Sequence, residues 1–438
     1  MVTIRHLRRI NNVDAYRSVA RNLKGLGPEI AKQERDTSAF QMKTLRILGT
    51  RGIPAAHGGF ETFAEHLALY LRDRGWRVIV YCQEEGRAPT VRDTWQGIER
   101  IRISVPGDNS GSTMWFDWLS ILDAAQHNDL CLTLGYNTAI FNTVLRVKGV
   151  TNIINMDGIE WIRAKWSKPA KLWFWMNDWF GCWLGNHLVA DHPAIKDHLV
   201  TRVSGDKITM IPYGAIPVAE ASEEPVRQLG LEPGRYLTVI ARPEPENSLL
   251  EIVQAFSVKP RGYKLAVLGA YNEDNPYHAA VKRAASNEVV FLGAIYDAPV
   301  VQALRFHSAM YVHGHQVGGT NPSLVEALGA GNAVIAHDNR FNKWVAGNGA
   351  EYFNSTASLS DCFSRLLSDD KALSSMRQAS KQRFQQALTW PIVLGEYENL
   401  LERFLKPKTK ARPALHRDAR DTVRELIVEQ ARTPRKAR

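Results

Sequence analysis

His315-Gln316-Val317-Gly318-Gly319-Thr320-Asn321-Pro322-Ser323-Leu324-Val325-Glu326 follows a strand-like run at 309–313 and is where the fold is first readable. The glycines predict a loop that closes into a helix, with Asn321 as N-cap and Pro322 as first helical residue. Proline suits that place because it lacks a donor the first turn cannot use. Gly318 and Gly319 let backbone approach a ligand closely, and the helix start adds N–H groups and partial positive charge. Glu326 lies about a turn further in, and helical side chains lean back toward the N-terminus. It is therefore expected to reach hydroxyls above the loop. An anion beside a carboxylate that holds hydroxyls suits a nucleotide sugar.

Outward from this stretch, strands alternate with helices twice over. Short apolar or alternating runs at 45–49, 78–82, 98–104, 130–134, 152–156 and 188–190 predict one set of strands. Runs at 236–241, 264–268, 289–292, 310–313 and 333–336 predict a second set. Between the first two strands, 60–74 predicts a helix with Phe60, Ala64, Leu67 and Leu71 on one face and Gly75 as its stop. Such alternation implies parallel sheets covered on both faces, hence two doubly wound Rossmann-like domains with a cleft between them. Ligands in such sheets bind beyond the carboxyl ends of strands. The predicted division is a flexible basic extension at 1–42, a first domain at 43–210, a second at 211–388, a helix at 389–405 and a basic tail at 406–438. The extension is equally readable as sequence upstream of a start at Met42. In the helix at 389–405, Ile392, Leu394, Tyr397, Leu400, Leu401 and Phe404 are the expected apolar positions.

With 438 residues, the chain is long enough for two full cores. Its net charge of +10 is concentrated at the ends: residues 1–43 hold +5, residues 406–438 hold +7, and the middle holds −2. Basic ends suit an anionic membrane surface or nucleic acid, or simply solvent, and a nucleic-acid footprint across the fold is not supported. No apolar run approaches the roughly 18 residues of a spanning helix, and the N-terminal region lacks a secretory pattern. Cys82, Cys131, Cys182 and Cys362 show no metal or redox spacing, which suits a reducing cytoplasmic setting.

Two further loops carry candidate chemistry. In Gly49-Thr50-Arg51-Gly52-Ile53-Pro54-Ala55-Ala56-His57-Gly58-Gly59-Phe60-Glu61, Gly58 and Gly59 open a helix whose amides face the expected cleft, and Arg51 adds a donor suited to phosphate. The spacing is not the dinucleotide fingerprint, and tight strand–helix packing explains glycines there equally well. Arg242 ends a strand before Pro243 and Pro245, where a fixed cation can hold a diphosphate or pair with Glu244 or Glu246. No Asp-x-Asp occurs, so neither a metal carried by that motif nor another cofactor is expected.

From residue 43 to 405 the chain resembles the family-4 retaining glycosyltransferases of the GT-B fold, in particular their bacterial rhamnosyltransferase-like branch. The motifs that carry the resemblance are Gly49-Thr50-Arg51-Gly52-Ile53-Pro54, Gly58-Gly59-Phe60-Glu61, Asp157-Gly158-Ile159-Glu160-Trp161 and Gly318-Gly319-Thr320-Asn321-Pro322-Ser323. The resemblance implies a nucleotide-diphosphate sugar held mainly by the second domain and an acceptor against the first. It places Arg242 on the diphosphate, Glu326 on the ribose, and Gly318, Gly319, Thr320 and Asn321 along the sugar and phosphates. Asp157 becomes the candidate catalytic group, with Glu160 and Trp161 on the acceptor side. Two departures stand out: Gly318 occupies the place of the family's first glutamate, and Glu246, Asn247 and Ser248 replace an expected lysine. Arg51 or Lys343 is the candidate for the missing charge.

Six of the twelve tryptophans fall between Trp161 and Trp183, among Arg163, Lys165, Lys168 and Lys171. Tryptophan with lysine suits a membrane interface, although a core or acceptor-groove helix reads the same way. The expected activity is transfer of a sugar, rhamnose from dTDP-rhamnose, onto a lipid-linked oligosaccharide of a bacterial surface polysaccharide. The expected location is the cytoplasm, peripheral on the inner face of the membrane. A nucleotide-sugar epimerase of the same fold and a non-catalytic nucleotide-sugar-binding protein are the rival readings.

Overall fold

The first strand, β1 (Thr44–Leu48), buries Leu45, Ile47 and Leu48 on both its faces, as a central parallel strand must. The computed structural model describes residues 43–56 and 58–405; the predicted extension at 1–42, the tail at 406–438 and His57 lie outside the described residues. Arg46 is the exception within β1. It is 2% exposed and donates to Asp129 at 2.8 Å and to the Tyr81 hydroxyl at 2.9 Å, so its buried charge is paired.

Around β1 runs a sheet of eight strands in the order β3-β4-β2-β1-β5-β6-β7-β8. These are β2 (Arg77–Glu85), β3 (Val91–Trp95), β4 (Ile98–Val105), β5 (Leu130–Leu134), β6 (Asn152–Asn155), β7 (His187–Ala190) and β8 (Ile208–Met210). Helices α1 (Gly59–Asp73), α2 (Ser110–Ala124), α3 (Thr143–Val147), α4 (Lys168–Leu184) and α5 (Pro193–Val200) connect them. A short helix, α6 (Glu224–Gln228), leads into a second sheet of six strands in the order β11-β10-β9-β12-β13-β14. Its strands are β9 (Tyr236–Ile240), β10 (Lys264–Leu268), β11 (Val289–Gly293), β12 (Met310–His313), β13 (Ala333–His337) and β14 (Glu351–Phe353), all paired in parallel. Helices α7 (Leu249–Ser257), α8 (Pro276–Arg283), α9 (Ala298–Phe306), α10 (Pro322–Gly329), α11 (Arg340–Ala346), α12 (Thr356–Leu366) and α13 (Asp370–Ala387) cover it.

Three strands were not expected. β3 pairs antiparallel with β4 at the sheet edge, and its polar sequence, Val-Arg-Asp-Thr-Trp, hides the strand period. β8 and β14 are three residues each, too short to show a period. In α1 the buried stripe is Phe63, Ala64, Leu67, Ala68 and Leu71, so Phe63 replaces the expected Phe60 in the core. The last helix, α14 (Trp390–Arg403), returns to the first sheet and packs on α1 through Trp390, Val393, Leu394, Tyr397, Leu400 and Leu401. Val393 takes the place expected of Ile392, which is 37% exposed. The return brings Tyr397 to the cleft: its hydroxyl accepts Asn155 Nδ2 at 2.8 Å.

Candidate active site

Strands β6 and β7 lie side by side and parallel, and each is followed closely by an aspartate, Asp157 and Asp191. Opposite them, the loop after β12 carries Gly318 and Gly319 into α10. Together with Gly59, Glu160, Arg163, Arg242, Asn247, His315 and Tyr397, these residues line a cavity of about 270 Å³ between the two sheets. The walls meet closely. A Cβ built on Gly158 would lie 3.7 Å from Gly318, and one on Gly59 would lie 3.4 Å from Pro322 Cγ.

Asp157 adopts the left-handed backbone region, with φ +51, and its N–H donates to Asn155 Oδ1 at 2.9 Å. A non-glycine residue there is uncommon and costs on the order of 1 kcal/mol or more. Burial pushes its carboxyl up to about 6, with Glu160 adding repulsion. Asp191 is pushed up to about 7, by burial first and by Asp157 second. Asp191 Oδ2 accepts the Thr320 N–H at 2.8 Å, whereas Oδ1 is buried with no protein partner among the described residues. The Thr320 hydroxyl also donates to the Asp191 carbonyl.

On the opposite wall Arg242 is exposed and makes no ion pair among the described residues. Asn247, 3% exposed, donates to the Arg242 carbonyl at 2.8 Å and leaves its own Oδ1 unpartnered. His315 is driven down to about 3, by burial and then by Arg163 and Arg242, so its ring is neutral.

Of the expected site residues, Gly59, Asp157, Glu160, Arg242, Gly318, Gly319, Thr320 and Asn321 line this cavity, and Arg51, Gly58, Trp161 and Glu326 do not. Arg51 pairs with Asp108 at 2.8 Å and faces a separate depression beside Arg100 and Arg102. Gly58 stops just short of the wall that Gly59 forms. Trp161 turns its indole N–H to Asp178 at 2.9 Å. Glu326, whose side chain is 37% exposed, pairs with Arg305 at 2.5 Å. Lys343 pairs with Asp338 at 2.6 Å. The start of α10 is also less open than expected, because Asn321 accepts the Ser323 N–H at 3.1 Å and Asp191 takes that of Thr320. Gly318 and Gly319 then supply the free amides among the described residues.

Sequence reasoning missed Asp191, Arg163, Asn247 and His315. Asp191 carried a usable signal, since it directly follows an apolar strand. Arg163 did not, because its place depends on how the two walls meet. Among the described residues, no group of three or more His, Cys, Asp or Glu side chains is placed to hold a metal ion.

Residues 222–383 match the family model described as "Glycosyl transferases group 1". That match spans the second parallel sheet and most of the helices that cover it. Residues 42–216 match a second model, "Domain of unknown function (DUF1972)". Comparison with curated proteins gives no match. Among solved structures, sucrose-phosphate synthase from Thermosynechococcus elongatus is similar with a TM-score of 0.67 and 15% identity, covering 82% of this chain and 98% of that one. HepE of Anabaena in complex with UDP gives 0.64 at 14% identity, covering 83% and 100%. The alpha,alpha-trehalose 6-phosphate synthase of Burkholderia multivorans gives 0.64 at 13%, covering 91% and 100%. The fold is GT-B, two parallel-sheet Rossmann-like domains facing across a cleft. The group 1 match supports a glycosyltransferase.

Proposed function

We propose that this glycosyltransferase moves a sugar from a nucleoside-diphosphate donor to a lipid-linked oligosaccharide in bacterial surface-polysaccharide synthesis, with retention of anomeric configuration. The observation that carries the reading is the convergence of Asp157 and Asp191 with Gly318, Gly319 and Arg242 on one cavity. HepE, of the same fold, binds UDP. The donor diphosphate lies against the Gly318 and Gly319 amides and Arg242, whose preorganised charge stabilises the leaving group as the glycosidic bond breaks. The acceptor hydroxyl attacks the face from which the diphosphate leaves, and a diphosphate oxygen takes its proton. No enzymatic nucleophile or metal is needed. Asp157, ionised above about pH 6, faces the positive charge that builds on the anomeric carbon.

The donor proposed is dTDP-rhamnose. Gly318 leaves open space where a side chain would stand, since a Cβ there meets nothing within 4 Å. A 6-deoxy sugar has no hydroxyl that needs a carboxylate at that place. The lipid-linked acceptor is supported by an exposed apolar face on the first domain. Trp115 of α2 and Leu172, Trp175 and Trp183 of α4 are 51%, 56%, 43% and 55% exposed. The turn Ala139–Asn142 touches both helices, and Lys168 and Lys171 flank the face. An anionic bilayer surface matches that mixture of tryptophan and lysine. No described helix is long and apolar enough to cross a membrane.

The test is to incubate the purified protein with dTDP-rhamnose, a panel of other nucleotide sugars and membrane lipid extract, and to analyse products by mass spectrometry. A rhamnosylated lipid supports the reading. An isomerised donor points to an epimerase, and nucleotide binding without turnover on any extract to a binding protein.

A further inference from the structure

Arg163 belongs to the loop after β6, yet it is held by acids from both walls of the cleft. Its Nη1 meets Glu160 Oε1 at 2.7 Å, while its Nε and Nη2 meet Glu246 Oε1 at 2.8 and 2.5 Å. Glu246 lies in the short turn Pro245–Asn247 after β9 of the second domain, and its side chain is only 8% exposed. The loop containing it is tied to the glycine loop, since the Gln316 N–H donates to the Glu246 carbonyl at 2.9 Å. Glu160 is fixed in turn by the Trp166 indole N–H at 3.0 Å and by its own N–H on the Tyr136 hydroxyl at 2.8 Å.

This arrangement has a cost that needs a purpose. A buried carboxylate close behind an anion site repels the anion, and Glu246 stands in the same loop as Arg242 without itself lining the cavity. Arg163 cancels that charge from across the cleft. A guanidinium has five N–H groups. One contact from each nitrogen leaves a hydrogen on Nη1 and another on Nη2 free to face the cavity that Arg163 lines. Arg242 lines the same cavity, and the field of both guanidinium groups falls on the His315 ring. Lys165 adds a third cation in that field.

We propose that Arg163 is a second cation of the diphosphate site, reaching from the first domain to grip a leaving group that Arg242 holds from the second. The inference rests on the donor reading above. Glu160 and Glu246 are then positioning residues that aim the guanidinium. Because Glu246 and Arg163 sit on different domains, the full charge that stabilises the leaving group assembles only when the cleft is closed and water is excluded. The specificity that follows is for a diphosphate over a monophosphate.

Calorimetric titration of UDP and dTDP, each beside its monophosphate, tests this on the full chain and on Arg163→Gln, Arg163→Lys and Glu246→Gln. Arg163→Gln is expected to weaken the better diphosphate about ten- to a hundredfold, as removal of a hydrogen-bonded charge does, and the monophosphate less than about threefold. Arg163→Lys restores part of the difference, and Glu246→Gln, which keeps the acceptor that aims Arg163 but removes the negative charge beside it, tightens the diphosphate more than the monophosphate. Equal weakening of both nucleotides by Arg163→Gln, or no weakening, overturns the inference and leaves the donor reading intact. A wild-type protein that binds neither diphosphate overturns the donor reading and this inference with it.

Discussion

Asp191 accepts the Thr320 N–H at 2.8 Å, so the end of a first-sheet strand is hydrogen-bonded directly to the glycine loop of the second sheet. The approach requires Gly319. A Cβ at that position would come within 2.2 Å of Asp191 Oδ1, far inside any real contact. The carboxylate and the glycine are thus complementary across the cleft, and their fit sets how the two walls meet.

Gly319→Ala is expected to lower kcat/KM about 100-fold, the scale of loss seen when a site is misplaced by an ångström. Asp191→Ala in the same chain removes the clash. The double variant is expected to bind nucleotide more tightly than Gly319→Ala alone, and a double-mutant cycle on binding reads the coupling.

Asp191 also makes stability depend on pH. Its carboxyl rises from the usual 3.8 to about 7, so the folded chain holds that proton more tightly than the unfolded chain. Between those values the unfolded state binds fewer protons, and stability falls as pH rises from about 4 to about 7. Asp191→Asn removes the loss while keeping an acceptor for Thr320. Thermal melting is expected to show the variant more stable than wild type by about 1–2 kcal/mol at pH 8, after allowance for solvent screening, with no gain at pH 4.

Asp157→Asn separates chemistry from binding. With Asp157 opposite the reacting sugar, kcat is expected to fall about 100-fold or more, while the donor KM stays within about threefold. Wild-type activity is expected to decline as pH drops through about 6, where this carboxyl takes up a proton. That acidic limb disappears in the variant. Equal losses in kcat and donor affinity count against the role.

The exposed side chains of Trp175 and Trp183 test the membrane surface. Vesicle sedimentation with anionic lipid is expected to retain the wild type and to release a Trp175→Ser, Trp183→Ser double variant. Activity on a soluble acceptor is expected to be unchanged. Neutral vesicles are expected to bind less than anionic ones, as Lys168 and Lys171 require.

Much of this was legible in the chain because parallel strands buried on both faces are continuously apolar. Leu130–Leu134 and Met310–His313 stand out for that reason, and the Asn321-Pro322 helix start is a local signal that tertiary contacts do not erase. Edge strands escape this logic: Val91–Trp95 is mostly exposed and reads as a polar loop. The glycines of the site were readable because close approach demands them. Side-chain pairings whose partner lies far away in sequence were not legible. Nothing near Arg51 announces Asp108, and nothing near Glu326 announces Arg305. Arg163 is the reverse case, a residue whose importance appears only once Glu246 is beside it.

In the proposed donor complex, the cavity between the sheets holds a nucleoside diphosphate on the Gly318 and Gly319 amides and Arg242. The direct measurement is thermal unfolding of the wild type and of Arg242→Gln with UDP or dTDP over a range up to millimolar. A ligand at about 100 times its dissociation constant adds about 2.7 kcal/mol, so a clear rise in melting temperature is expected for the wild type and a much smaller one for the variant. No rise with either nucleotide, or an equal rise in both proteins, would contradict it.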